Sequence, residues 1–191
     1  SSLGAAALIE KKKIRWRHPY LGHNILAEKE LNPKEIVQYL LENKVCGVAN
    51  GRAEFGPRAL GNRSLLADPR LDIKDTVNEV KQRQKFRPFA PAILEEHFDD
   101  YFVGRKNRYM QFVSKARHDY KSVTHVDGTA RVQCVEKDNI SILRPILEEW
   151  YSQTGCPMLL NTSLNIRGKP MVNNVTHAES FEKKYNVKVF R

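Results

Sequence analysis

Short apolar runs alternate along this chain with segments of helical period, and each switch falls at a Gly, Pro, Asn or Asp. "VCGVAN" (45–50), "FAPAIL" (89–94) and "PMLLNTS" (157–163) read as buried strands. Between them, "NPKEIVQYLLENK" (32–44) has Asn32 as N-cap, Pro33 at the first helical position, and Ile36, Val37, Leu40 and Leu41 on one face. Asp72 is expected to cap a second helix running to about Lys81, with Ile73, Val77 and Val80 inward. "NISILRPILEEWYSQTG" presents Ile142, Leu143, Ile146, Leu147 and Trp150 on one face and is stopped by Gly155 and Pro157. Thr176 with Glu179 reads as a capping box for a helix over 177–184, and "VKVF" as the strand that closes the sheet. "RYMQFV" (108–113) and "TARVQCV" (129–135) are strand-like by aromatic and β-branched content. The alternation lacks the regularity of a strictly parallel sheet, so the pattern predicts α/β with a mixed sheet.

The polar residues gather where these elements end. Lys81, Arg83, Lys85 and Arg87 lie between a helix and a strand; Arg131 and Gln133 alternate in "THVDGTARVQ"; Asn161, Ser163 and Asn165 follow a strand in "NTSLN". The chain carries 32 Lys and Arg against 22 Asp and Glu, a formal charge of +10, which favours an anionic partner: nucleic acid, a membrane surface or a phosphorylated small molecule. Several cationic donors converging from different elements suit a triphosphate or an acyl phosphate. On pattern alone each cluster has a plain alternative. Lys81 to Arg87 can be a solvated helix end, Asn161 to Asn165 an ordinary turn, and Arg131 a surface residue. His125 and Asp127 can be a base with its orienting group, or neighbours sharing a strand face.

"GRAEFGPRALGNRS" (51–64) has the G-x-x-x-x-G spacing of a phosphate loop at Gly56 and Gly61, but Asn62 stands where such a loop needs lysine. It is not a P-loop. The role of Arg52, Glu54, Arg58 and Arg63 stays open between ligand contact and contact with a neighbouring domain.

Other chemistries are disfavoured. Cys46, Cys134 and Cys156 have no C-x-x-C spacing, so neither a disulfide framework nor a zinc site is expected, and a reducing cytoplasm suits them. The histidines show no metal-ligand spacing, so no metal is expected in this chain. No apolar run approaches the ~20 residues of a membrane span. The four Asn-x-Ser/Thr triplets are chance matches on this reading.

Taken together, "GRAEFGPRALGNRSLLADPR", "KQRQKFRPFAP", "THVDGTARVQ" and "NTSLNIRGKP" closely resemble the carbamoyltransferases of nodulation-factor and antibiotic biosynthesis, in order from about residue 45 to 172. The resemblance implies a YrdC-like α/β domain, a twisted mixed sheet with flanking helices, over residues 31–191. The opening "SSLGAAAL" resembles the last helix of that family's preceding actin-like ATPase-fold domain, so residues 1–30 are expected to be its remnant and a linker. The family makes carbamoyl-adenylate from carbamoyl phosphate and ATP, then moves the carbamoyl group to a hydroxyl acceptor. The resemblance places the first step here and the transfer, with its metal, in the preceding domain. The K-x-R and S-x-N signature of YrdC-like domains falls on Lys81 and Arg83, then Ser163 and Asn165. Arg87 and Arg131 would hold carbamoyl phosphate, Asn161 would join the substrate loop, and magnesium would arrive with ATP. Lys81, Arg87 and Arg131 are thereby implied as the catalytic set. An RNA-binding domain and a non-catalytic docking module are the rival readings. The sequence has no R-G-G runs or stacking aromatic pattern, so nucleic acid is the weaker of the partners considered.

Overall fold

The computed structural model describes residues 2–15, 17–26 and 30–191. A first helix α1 (Ser2–Ile9) and a two-residue strand β1 (Asn24–Ile25) precede the main body. Helix α2 (Pro33–Asn43) starts as its sequence predicts, with the Asn32 side chain accepting from the Lys34 amide, and ends at Lys44 in the left-handed region. Strand β2 (Val45–Ala49) follows at once, then β3 (Gly51–Arg52), which pairs with β1. Strand β4 (Arg63–Ala67) emerges from the glycine-spaced segment, where the sequence signals only a loop. Its Ser, Leu and Ala are weak strand formers, and tertiary pairing on both edges makes it a central strand.

Helix α3 (Lys74–Val80) is not capped by Asp72. Ile73 is the residue before its first turn, and the Ile73 amide donates instead to Ser122 Oγ from a distant segment, while Ser122 Oγ donates to Leu71 O. Strand β5 (Ala90–Leu94), a 3-10 turn (Glu95–His97), helix α4 (Phe98–Tyr101) and strand β6 (Phe102–Val103) come next. Residues 108–113 are turn rather than strand, because Asn107 Oδ1 accepts the amides of Tyr109 and Gln111 and withdraws them from any ladder. Strand β7 (Ser114–Ala116) begins only after them. The expected strand 129–135 is two strands in two sheets. β8 (Thr129–Ala130) pairs with β7, and β9 (Gln133–Val135) pairs with β5, so Arg131 sits at the crossing and shares no strand face with Gln133.

Helix α5 (Leu143–Thr154) buries Leu143, Ile146, Leu147 and Trp150 of the predicted face, leaves Ile142 half-buried just before its first turn, and is closed by Gly155 at φ +68. A Cβ at Gly155 meets nothing within 4 Å, so Gly155→Ala carries backbone strain alone; a loss of about 1 kcal/mol in urea unfolding is expected. Strand β10 (Met158–Ser163) precedes α6 (Val175–Tyr185), whose cap is Asn174 through the His177 amide, not Thr176 with Glu179. The last strand is β11 (Val189–Phe190).

The main sheet runs β11-β2-β4-β10-β5-β9, parallel at its two outer pairs and antiparallel within. One face packs on α2 and α5 through Ile36, Leu40, Leu66, Leu147, Trp150 and Leu159. The other packs on α3 and α6 through Leu65, Val77, Leu160, Ala178 and Phe181. This is the mixed α/β class, a mixed sheet with flanking helices, that the resemblance implies. The pairing of β10 between β4 and β5 brings the ends of α3, β10 and the β8–β9 crossing together, and the basic residues are on those ends.

Candidate functional site

Asn78, in the last turn of α3 and fully buried, shapes the basic segment that follows. Its Oδ1 accepts from Arg83 Nε, and its Nδ2 donates to the carbonyls of Lys85 and Arg87, each at 3.1 Å. The segment therefore curls around one amide side chain. Arg83 is fixed further by a 3.1 Å bond to Pro88 O and by stacking 4.0 Å from the centre of the Phe89 ring. An asparagine three residues ahead of a basic segment has no distinctive pattern, which is why sequence reasoning passes over Asn78.

Lys81 reaches from the end of α3 to the end of β10. Its Nζ donates to Ser163 O, to Asn165 O at 2.9 Å and Asn165 Oδ1 at 3.0 Å, and to Ser163 Oγ at 3.2 Å. The Ser163 hydroxyl donates to Asn165 Oδ1, closing a triangle of these three side chains. Burial first, and then the charges of Arg83 and Arg87, pull Lys81 down to about 7. Burial, then Arg87 and Arg131, pull Arg83 down to about 10. Arg131 is pulled down by burial, then by Arg58 and Arg87, and its buried Nε has no hydrogen-bond partner.

These mutual effects link Arg58, Lys81, Arg83, Arg87 and Arg131 into one cationic cluster drawn from the 51–64 loop, the α3 end and the β8–β9 crossing. Among the described residues no carboxylate forms an ion pair with any of the five. Like charges without a counter-charge raise the energy of the empty protein, and an anion relieves it.

The glycine-spaced loop divides by role. Glu54 is 4% exposed, and its Oε1 accepts the amides of Leu60 and Asn62 at 2.7 Å and of Arg63 at 3.2 Å, so the loop is wound on a carboxylate. Arg63, wholly buried, donates to the carbonyls of His23, Asn50, Gly51 and Asn62. Arg52 donates to Leu21 O at the exposed edge. Only Arg58 lies with the cationic cluster.

Asn161 is buried beneath this loop. Its Nδ2 donates to Ala59 O and to Gln133 Oε1, and Gln133 Nε2 donates to Leu60 O, so the pair ties the loop to the sheet. Asn161 Oδ1 is buried without a partner. Among the described residues no group of three or more His, Cys, Asp or Glu side chains could hold a metal ion, and no helix is long and apolar enough to cross a membrane. The three cysteines are free and buried.

Fold and site thus define an α/β domain that concentrates uncompensated positive charge at the ends of its elements. The chain belongs to the family described as carbamoyltransferase C-terminus, whose model matches residues 37–190, into the last strand. It is 38% identical over 186 residues to Nodulation protein NolNO of Sinorhizobium fredii, covering 92% of this chain and 27% of that protein. It is 41% identical over 141 residues to Nodulation protein U of Rhizobium tropici, covering 71% of this chain and 24% of that one. This chain therefore spans only about a quarter of the length of these relatives. Among solved structures it is similar in fold to full-length HypF in its phosphate- and nucleotide-bound form, with a TM-score of 0.59 and 17% identity, over 85% of this chain and 21% of that one.

Proposed function

We propose that this domain binds carbamoyl phosphate and ATP and forms carbamoyl-adenylate, for transfer to a hydroxyl acceptor by an actin-like domain in the same protein. The observation that carries this reading is the cationic cluster, five side chains with no carboxylate counter-ion among the described residues. In-line displacement at phosphorus asks a protein chiefly to position groups and to stabilise charge, and converging Lys and Arg side chains do both. Arg87 and Arg131 would hold the carbamoyl phosphate. Lys81, with Ser163 and Asn165, would set the edge of the triphosphate, with Arg83 beside them. Asn161 would support the substrate site from beneath, by tying the 51–64 loop to the sheet. The cluster presents cations and neutral oxygens, so magnesium would ride on the phosphates and water, as that ion commonly does.

The remaining parts follow from family membership. A metal and the acceptor site would belong to the actin-like domain. Residues 1–30 would be the junction with it: Leu8 and Ile9 of α1 are each 80% exposed and would be covered there. The cysteines would stay reduced in the cytoplasm.

Calorimetry with ATP and with carbamoyl phosphate, and carbamoyl-phosphate-dependent exchange of pyrophosphate into ATP, test the reading. Binding of neither ligand would remove it and leave a docking role. A simpler check precedes these. Inorganic pyrophosphate at ten times its Kd should stabilise the protein by about 1.4 kcal/mol, raising Tm by about 3–6 °C. The shift should shrink as salt rises. A Tm insensitive to pyrophosphate would contradict an anion site.

A further inference from the structure

The segment 124–129 carries a hydrogen-bonded chain that the cationic cluster does not use. Asp127 Oδ1 accepts from the Thr129 amide at 3.0 Å and from the Thr129 hydroxyl at 2.7 Å, and these bonds hold Asp127 below the usual carboxylate range, hence ionised. The single hydroxyl proton of Thr129 is thereby spent on Asp127. Thr129 Oγ1, 2.9 Å from His125 Nδ1, can only accept there. His125 therefore carries its proton on Nδ1, and in the neutral ring Nε2 is a free lone pair. Backbone bonds from His125 N to Thr129 O and from Gly128 N to His125 O fix the turn. Burial pushes the imidazole below its usual value; Asp127 opposes this and Arg131 reinforces it.

The ring lies where such a lone pair has a use. His125 lines a cavity of about 630 Å³ together with Phe86 and Pro88, the two chain neighbours of Arg87, and the charge of Arg131, a member of the cluster, reaches the ring. The other charged or titratable side chains on its walls are Asp72, Lys74, Arg117, His118, Asp119 and Lys121. Lys81, another nitrogen drawn towards neutrality, does not line this cavity, and its Nζ is turned to Ser163 and Asn165. The arginines cannot act as bases.

We propose that His125 Nε2 is the proton acceptor for the water that opens carbamoyl phosphate, with Thr129 and Asp127 as positioning residues that fix its tautomer. The proposal rests on the carbamoyl phosphate reading given above. The water oxygen bonds to the carbonyl carbon and one of its protons passes to Nε2. The bond from that carbon to the bridging oxygen breaks, its electron pair going to the phosphate. The imidazolium then returns its proton to the phosphate. The products are hydrogen phosphate and carbamic acid, which ionises to the carbamate that attacks ATP. Loss of a positioned base costs about 100-fold or more.

The test uses His125→Gln in the protein, with two carbamoyl sources. With carbamoyl phosphate and ATP, phosphate and pyrophosphate release should fall about 100-fold while calorimetric affinity for ATP stays within about twofold. With ammonium bicarbonate, whose equilibrium supplies carbamate directly, pyrophosphate release from ATP should match the wild type. Wild-type phosphate release by His125→Gln, or an equal loss with both sources, overturns the assignment. A wild type that releases pyrophosphate with neither source removes the adenylate reading itself, and this proposal with it. Independently of any variant, long-range ¹H–¹⁵N correlation on the wild type should place the proton of the neutral ring on Nδ1. Finding it on Nε2 would overturn the proposal.

Discussion

Glu54→Ala is expected to cost about 3–5 kcal/mol of folding stability, the range for removing one partner of a buried charged network. The loss has two sources. Three buried amides, those of Leu60, Asn62 and Arg63, lose their common acceptor, and nothing else in the loop replaces it. The wholly buried Arg63 also loses the nearest opposite charge, the one influence that offsets its desolvation. Glu54→Gln keeps one oxygen acceptor and gives up the charge, so it should fall between the wild type and the alanine variant. Arg58→Ala, a few residues along the same loop, should leave stability within about 0.5 kcal/mol, because Arg58 is half-exposed and anchors no carbonyl. Its effect belongs to anion affinity. Urea unfolding of the three variants separates the loop's scaffold from its ligand-facing residue. A loss below 1 kcal/mol for Glu54→Ala would contradict the view that the loop is wound on this carboxylate.

That contrast also marks the reach of the sequence. Strands 45–49, 90–94 and 158–163 are evident from their apolar runs, and α2 from Asn32 and Pro33, because their signals are local. β4 is not evident, since its strand character comes from partners on both sides rather than from Arg63 to Ala67 themselves. The same limit applies to caps. Asp72 and Thr176 are good capping residues by type, yet Ser122 from across the chain and Asn174 two residues earlier hold those helix starts. Within the site, the basic residues stand out because charge at element ends is visible in one dimension. The parts played by Glu54, Arg63 and Asn78 depend on which backbone groups fold back onto them, and spacing does not encode that. Arg52, Arg58 and Arg63 look equivalent in sequence. Folding makes the first an edge contact, the second a member of the cluster and the third a buried staple.

Arg87→Ala should move stability and affinity in opposite directions. The Arg87 side chain is exposed; its carbonyl, not its guanidinium, is what Asn78 holds, so truncation leaves the 81–88 turn intact. What truncation removes is one uncompensated charge beside Lys81, Arg83 and Arg131, each of which Arg87 pulls down. The empty variant should therefore be as stable as the wild type or slightly more so. The effect depends on pH in a defined sense. Lys81 titrates at about 7 in the folded protein against an ordinary 10.5. Between those values the unfolded chain binds more protons, so stability of the empty protein rises with pH across that window. Arg87→Ala raises the folded value of Lys81 and should flatten the slope. Affinity goes the other way, with loss of one charged hydrogen bond to an anion weakening carbamoyl phosphate or pyrophosphate binding by about 1.5–3 kcal/mol, roughly 10- to 150-fold. Calorimetry and urea unfolding on the same preparation read both quantities. Unchanged affinity in a folded variant would place Arg87 outside the anion site. A stability loss as large as the affinity loss would assign it to the scaffold. Opposed signs are the mark of a charge that the fold tolerates at a cost to itself and that a ligand puts to use.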